Sequence, residues 1–166
     1  MQMKSDFEEF SMYGFRVEYP EECRVEFNSK SRREAGDVAF RFPENTRIYL
    51  SWGDLEKVAK RFNSAEEHAN YSIEAMKKGK NVKNFEHVHR DIIPVHSHKA
   101  SLNKVKFDEK GVRFIPGSKD LPREAYSFHV HCDKSNRYFI LYGMMPANEA
   151  RFSRIMESMQ ESFKCH

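Results

Sequence analysis

Three features of the sequence predict an α+β fold, an antiparallel sheet of about six to eight strands covered by helices on both faces. Apolar and polar residues alternate singly in four short runs between Phe15 and Trp52, as half-buried strands require. The period then lengthens to that of amphipathic helices over 54–79 and again over 148–163. Between them, Tyr138-Phe-Ile-Leu-Tyr142 is apolar at every position, the mark of a central strand covered from both sides.

The elements follow in order. Phe15, Val17 and Tyr19 alternate with Arg16 and Glu18 before Pro20, and Val25 and Phe27 repeat the pattern. Val38, Phe40 and Phe42 form a third strand closed by Pro43, and Ile48, Leu50 and Trp52 a fourth closed by Gly53. Leu55, Val58, Ala59 and Phe62 then fall at helical spacing, so 54–62 reads as a short helix with Asp54 as its N-cap. Ser64-Ala-Glu-Glu67 matches a capping box, in which serine and glutamate side chains accept from backbone N–H groups at a helix start. The helix that follows carries Ala65, Ala69, Ile73 and Met76 on one stripe, and Gly79 is expected to end it in a left-handed turn.

Strands are expected again at 82–93, 98–107, 123–133 and 137–145, the last two joined by a tight turn at Asp133-Lys-Ser-Asn136. Residues 108–122, with two glycines and two prolines, read as a long loop. The closing helix, 148–163, aligns Phe152, Ile155, Met156, Met159 and Phe163, so its methionines read as core.

Composition narrows the function classes. A chain of 166 residues, 39% hydrophobic and 32% charged, can bury one substantial core, and 1–166 reads as a single domain without internal repeat or linker. The formal net charge of +3 is small, and Lys/Arg clusters alternate with acidic stretches, so no basic stripe suggests nucleic acid. Cys23, Cys132 and Cys165 are odd in number and widely spaced, which fits a reducing compartment. The first residues show no apolar leader, and the longest apolar run, 138–145, is too short to span a bilayer; a cytoplasmic protein is expected.

Tyr13-Gly-Phe-Arg-Val-Glu-Tyr-Pro20, the helix start Ser64-Ala-Glu-Glu-His68 and the closing Phe152-Ser-Arg-Ile-Met-Glu-Ser-Met-Gln-Glu-Ser-Phe163 together resemble the PsbP-like family, in order from about residue 13 to 164. That family includes the extrinsic photosystem II subunit PsbP and the Ran-binding protein Mog. The resemblance implies an antiparallel sheet between helices and a binding or assembly role, with another protein as partner, rather than an enzyme. These motifs are mostly fold determinants and speak for architecture before activity.

The chemically loaded feature is histidine. Six of eight lie in three His-x-His units, His87/His89, His96/His98 and His129/His131, and residues two apart on a strand share a face. If 98–107 and 123–133 pair antiparallel, His98 is expected near His131, so His98, His129 and His131 form a candidate metal trio for zinc or another divalent transition metal. Cys132 points away from His129 and His131 and is a poor fourth ligand for that trio. His68 reads as a helix-surface residue and His166, beside Cys165, as a frayed end. No nucleophile elbow, P-loop, dinucleotide glycine pattern or H-E-x-x-H occurs, so no catalytic residue and no organic cofactor is assigned.

Two classes of function remain. The first is a non-catalytic binding or assembly module using the rim of the sheet or the 108–122 loop. The second is a metal-binding protein or metal-dependent hydrolase built on the His-x-His pairs.

Overall fold

A computed structural model describes residues 6–166 of the chain. After an opening hairpin, β1 (Phe7–Met12) and β2 (Phe15–Pro20), come three antiparallel strands, β3 (Arg24–Phe27), β4 (Gly36–Arg41) and β5 (Arg47–Asp54). Two helices, α1 (Leu55–Ala59) and α2 (Ala65–Lys77), carry the chain away from β5. It then winds back through β6 (Val82–Val95), β7 (His98–Glu109), β8 (Leu121–Cys132) and β9 (Arg137–Pro146), and α3 (Ala150–Ser162) follows.

The main sheet has seven strands in the order β3-β4-β5-β9-β8-β7-β6. β9 therefore sits at its centre, antiparallel to β5 on one side and to β8 on the other. That is the position expected of a strand apolar on both faces. Of its residues, Phe139 and Leu141 are buried and Ile140 and Tyr142 partly so.

The local chemistry of the turns agrees with the sequence. Asp54 accepts from the Glu56 N–H to cap α1, and Ser64 accepts from the Glu67 N–H to cap α2. Glu67 reaches back to the Asn63 N–H rather than to Ser64, so the box closes one residue early. Between β8 and β9, the Asn136 N–H donates to the Asp133 carbonyl, and Asn136 takes a left-handed φ of 53°.

Four local expectations are corrected. α1 ends at Ala59, short of Phe62. Gly79 is not left-handed; α2 closes through Lys78, whose N–H donates to the Glu74 carbonyl. β1 is an additional strand, and with β2 it forms a separate two-stranded sheet rather than extending the main one. Residues 108–122 are shortened on both sides, because β7 runs to Glu109 and β8 begins at Leu121.

The principal core lies between the β1–β2 hairpin, α3 and the main sheet. Phe15 packs on Trp52 and Phe139, and Phe163 meets Phe128 and Phe139. Met156 and Met159 are fully buried there, as helical spacing predicted. A backbone bridge between Arg16 and Lys164 ties the hairpin to the segment after α3. A smaller cluster joins Ile73 of α2 to Val105, Phe107 and Ala125.

Candidate functional site

β8 is the strand that sorts the site residues. Its even positions, Tyr126 to Cys132, share one face, and its odd positions, Ser127, His129 and His131, share the other. The β7–β8 register pairs Ala100 with Val130, so two residues further along His98 comes opposite Cys132, not His131. Directly opposite residues in an antiparallel pair face the same way. The candidate trio is thus split: His98 lies on one face, and His129 and His131 on the other. A one-residue difference in assumed register is enough to invert this, since each step along a strand reverses the side.

On the odd face, His129 and His131 meet α2. His68 Nδ1 lies 3.2 Å from His131 Nε2, and the His68 ring stacks on Phe62 with centroids 4.9 Å apart. His129 is 1% exposed, with Nε2 3.5 Å from Ser72 Oγ and Nδ1 unpaired among the described residues. His68 is thus a packed member of a three-imidazole group, not the helix-surface residue expected.

Burial sets the electrostatics of this group. It lowers His129 to about 3, helped by the neighbouring His68 and His131. Burial also lowers His68 to about 4, with His131 and Arg61 adding to the effect. His131 is lowered by burial too, against the pull of Asp133. All three are neutral at pH 7. His87 Nε2–H donates to Asn103 Oδ1 at 2.9 Å, and His89 is exposed on the edge strand β6.

The even face holds a second group. His98 Nε2 and His166 Nδ1 each lie 3.6 Å from Cys132 Sγ, and His166 Nδ1 lies 3.3 Å from Cys165 Sγ. One ligand atom from each of the four residues lies within 4.8 Å of all the others. Both cysteines are fully buried, and His98 is 8% exposed. Hydrogen bonding from Cys165 draws the Cys132 thiol down to about 4 against the opposing effect of burial, with Ser135 and His166 assisting. Cys165, as the donor to Cys132 and itself buried, is pushed far up. The pair therefore holds one proton readily and the other loosely.

Sequence reasoning excluded Cys132 because it faces away from His131, and that geometric point stands. It missed that the other side of β8 offers Cys132 partners of its own. Cys165 and His166 lie 33 and 34 positions away in sequence, without any local ligand spacing to flag them.

At the level of sequence, no protein family and no curated protein matches the chain. Solved structures do. The cyanobacterial PsbP (CyanoP) of Synechocystis sp. PCC 6803 superposes with a TM-score of 0.67 over 98% of this chain and 94% of its own, at 8% identity. The Ran-binding protein Mog1p of Saccharomyces cerevisiae gives a TM-score of 0.62 over 97% of this chain and 96% of its own, at 9% identity. A variant of protein Mog1 gives 0.60 over 96% and 95%, at 10% identity. The chain has a PsbP/Mog1-like fold, as the motifs of the sequence implied.

Proposed function

We propose that this protein is a non-catalytic binding or assembly module whose partner is another protein. The observation that carries this reading is the PsbP/Mog1-like fold, matched over nearly the whole chain by a protein named for binding Ran. In this reading the main sheet is the middle of an α/β/α sandwich. Support comes from Phe163, the C-cap residue of α3, which packs on Phe128 of the even face of β8, and from α2, which touches His129 and His131 of the odd face.

The 110–120 loop supplies a contact surface suited to such a role. Its base is tied: Asp120 accepts from the Gly111 N–H at 3.0 Å and pairs with Lys83 at 3.0 Å, while Ser118 Oγ accepts from the Val112 N–H. Its apolar side chains have no cover, with Phe114 92% exposed and Val112 and Ile115 more than half exposed. An apolar tip on a tethered base is what a docking loop needs, because the contact is displayed without being free to collapse onto its own surface. Lys110, Arg113 and Lys119 flank it and favour a partner surface with acidic residues around an apolar centre.

Among the described residues no helix is long and apolar enough to cross a membrane. The three cysteines are free and buried, which supports placement in the reducing cytoplasm. A hydrolase built on the His-x-His pairs gains nothing from the geometry, since His98 is parted from His129 and His131 by the thickness of the strand.

The test is a photo-crosslinker at position 114 in living source cells, with Ran included as a purified candidate in vitro. A discrete adduct that disappears in a Val112→Ser/Ile115→Ser variant with unchanged melting temperature supports the reading. Equal capture by both proteins, or none, defeats it.

A further inference from the structure

We propose that His98, Cys132, Cys165 and His166 form a structural zinc site that clamps β7, β8 and the segment following α3 together. Two thiolates and two imidazoles are a donor set that selects zinc in tetrahedral geometry, through ligand softness and the absence of hard oxygen donors. With Zn–S near 2.3 Å and Zn–N near 2.0–2.1 Å, a tetrahedron has sulfur-to-nitrogen edges of about 3.6 Å. Three of the four sulfur-to-nitrogen separations are 3.6, 3.6 and 3.3 Å. The remaining ligand-atom separations lie within 4.8 Å.

Three independent pieces of chain converge on this point, and each is positioned by features unrelated to a metal. His98 opens β7 after the turn at His96, and Cys132 closes β8 opposite it. Cys165 follows the backbone bridge between Lys164 and Arg16, which fixes its approach to the sheet. His166 is the one exposed member, so the ion enters from its side; the His96 ring, with its centroid 5.0 Å from that of His166, lies beside this entrance. Among the described residues this is the one group of His, Cys, Asp or Glu whose ligand atoms converge in this way.

All four coordination positions come from the protein, and a closed shell leaves no place for substrate or activated water. The site therefore holds structure and does not catalyse. It is also distinct from the His68–His129–His131 group on the opposite face. Its formation displaces the proton the cysteine pair still holds and couples metal uptake to stability.

The experiment uses the full chain purified without a polyhistidine tag, with zinc and cobalt(II) as probes. One zinc per chain is expected to survive gel filtration, and the cobalt form is expected to show thiolate-to-metal charge transfer with the intense visible bands of a tetrahedral ion. Since outer-shell changes alone cost about 10–100-fold in metal affinity, Cys132→Ser is expected to cost at least ~100-fold. His166→Ala, at an exposed side chain that folding does not require, is expected to weaken zinc in the same direction, while His131→Gln leaves affinity unchanged. Sub-stoichiometric zinc, cobalt binding without a thiolate band, full affinity in His166→Ala, or a Cys132–Cys165 disulfide in protein from reducing cells would each overturn the site.

Discussion

His68 Nδ1 and His131 Nε2 face each other at 3.2 Å across the interface between α2 and β8, with His129 beside them. One ring can donate to the other only while the acceptor is neutral, so the contact depends on withholding protons.

The consequence is a pH dependence of stability near neutrality. His129 is lowered to about 3 and His68 to about 4, so between the ordinary histidine value near 6.5 and those values the unfolded chain binds protons that the folded chain refuses. The sign is fixed: stability is full above pH 6.5 and is lost as pH falls, with a limiting slope of about 1.4 kcal/mol per pH unit for each such group. Arg61 beside His68 widens the pH window over which stability is lost, and Asp133 beside His131 narrows it for that ring. Urea midpoints are expected to drop from pH 7.5 to 5.5, and His129→Leu is expected to flatten the decline. Equal midpoints at the two pH values would contradict the argument.

A second titration lies lower. Glu124 is 3% exposed and accepts from Tyr126 OH at 3.1 Å and from the Asn148 N–H at 3.3 Å, with Lys104 and Lys106 Nζ each at 3.5 Å. Burial alone would raise its carboxyl, but the Asn148 hydrogen bond, Lys104, Tyr126 and Lys106 together lower it. Its contribution is therefore present above the unfolded carboxylate value and is lost as pH falls below it. Glu124→Gln keeps the shape but removes the charge that two lysines face, and it should cost about 1–3 kcal/mol. Denaturant titration at pH 7 measures this; a wild-type midpoint in Glu124→Gln would show that the lysines are satisfied by water instead.

The contrast between these sites and the fold shows what the sequence makes legible. β9 announced itself because five consecutive apolar residues have no exposed side to occupy. The caps at Asp54 and Ser64 were readable because each is a contact between near neighbours in the chain. β1 was not, since Phe7, Phe10 and Met12 do not alternate and the strand is buried only in part. Its signal was the turn instead: Tyr13 and Gly14 both have positive φ, 50° and 86°, the paired left-handed geometry of a two-residue hairpin. The site was legible in residue type but not in partnership. Which histidine joins which face depends on register, and register between β7 and β8 is set across an intervening loop that carries no information about it.

Gly53 gives a prediction about packing. A Cβ at this position would come within 2.5 Å of Cε1 of Tyr138, the residue directly across from it on β9. The Tyr138 ring covers the glycine and also meets the His68 ring edge-on, with centroids 5.3 Å apart. Gly53→Ala must displace that ring and should cost about 1–3 kcal/mol. Combined with Tyr138→Ala, the clash is gone, so the double variant should be less destabilised than the sum of the singles by about 1 kcal/mol or more. Additive losses in the cycle would show that the ring yields freely.

Arg137 joins three parts of the chain from a nearly buried position. It is 2% exposed; Nη2 donates to the Tyr13 carbonyl at 2.9 Å, and Nη1 to the Arg33 carbonyl at 3.4 Å. Its guanidinium also lies over the rings of Phe15 and Phe139, at 5.5 and 5.2 Å. A planar fork can reach two carbonyls and stack at the same time, whereas an ammonium on a flexible stem cannot. Arg137→Lys is thus expected to destabilise by about 2–4 kcal/mol although it preserves charge, because a buried cation loses part of its hydrogen bonding. Hydrogen exchange should locate the loss: amides of the β1–β2 hairpin, held by the Tyr13 carbonyl contact, should open before those of β8 and β9. Uniform exchange across the chain, or a wild-type midpoint in the lysine variant, would mean that stacking rather than the fork secures the hairpin.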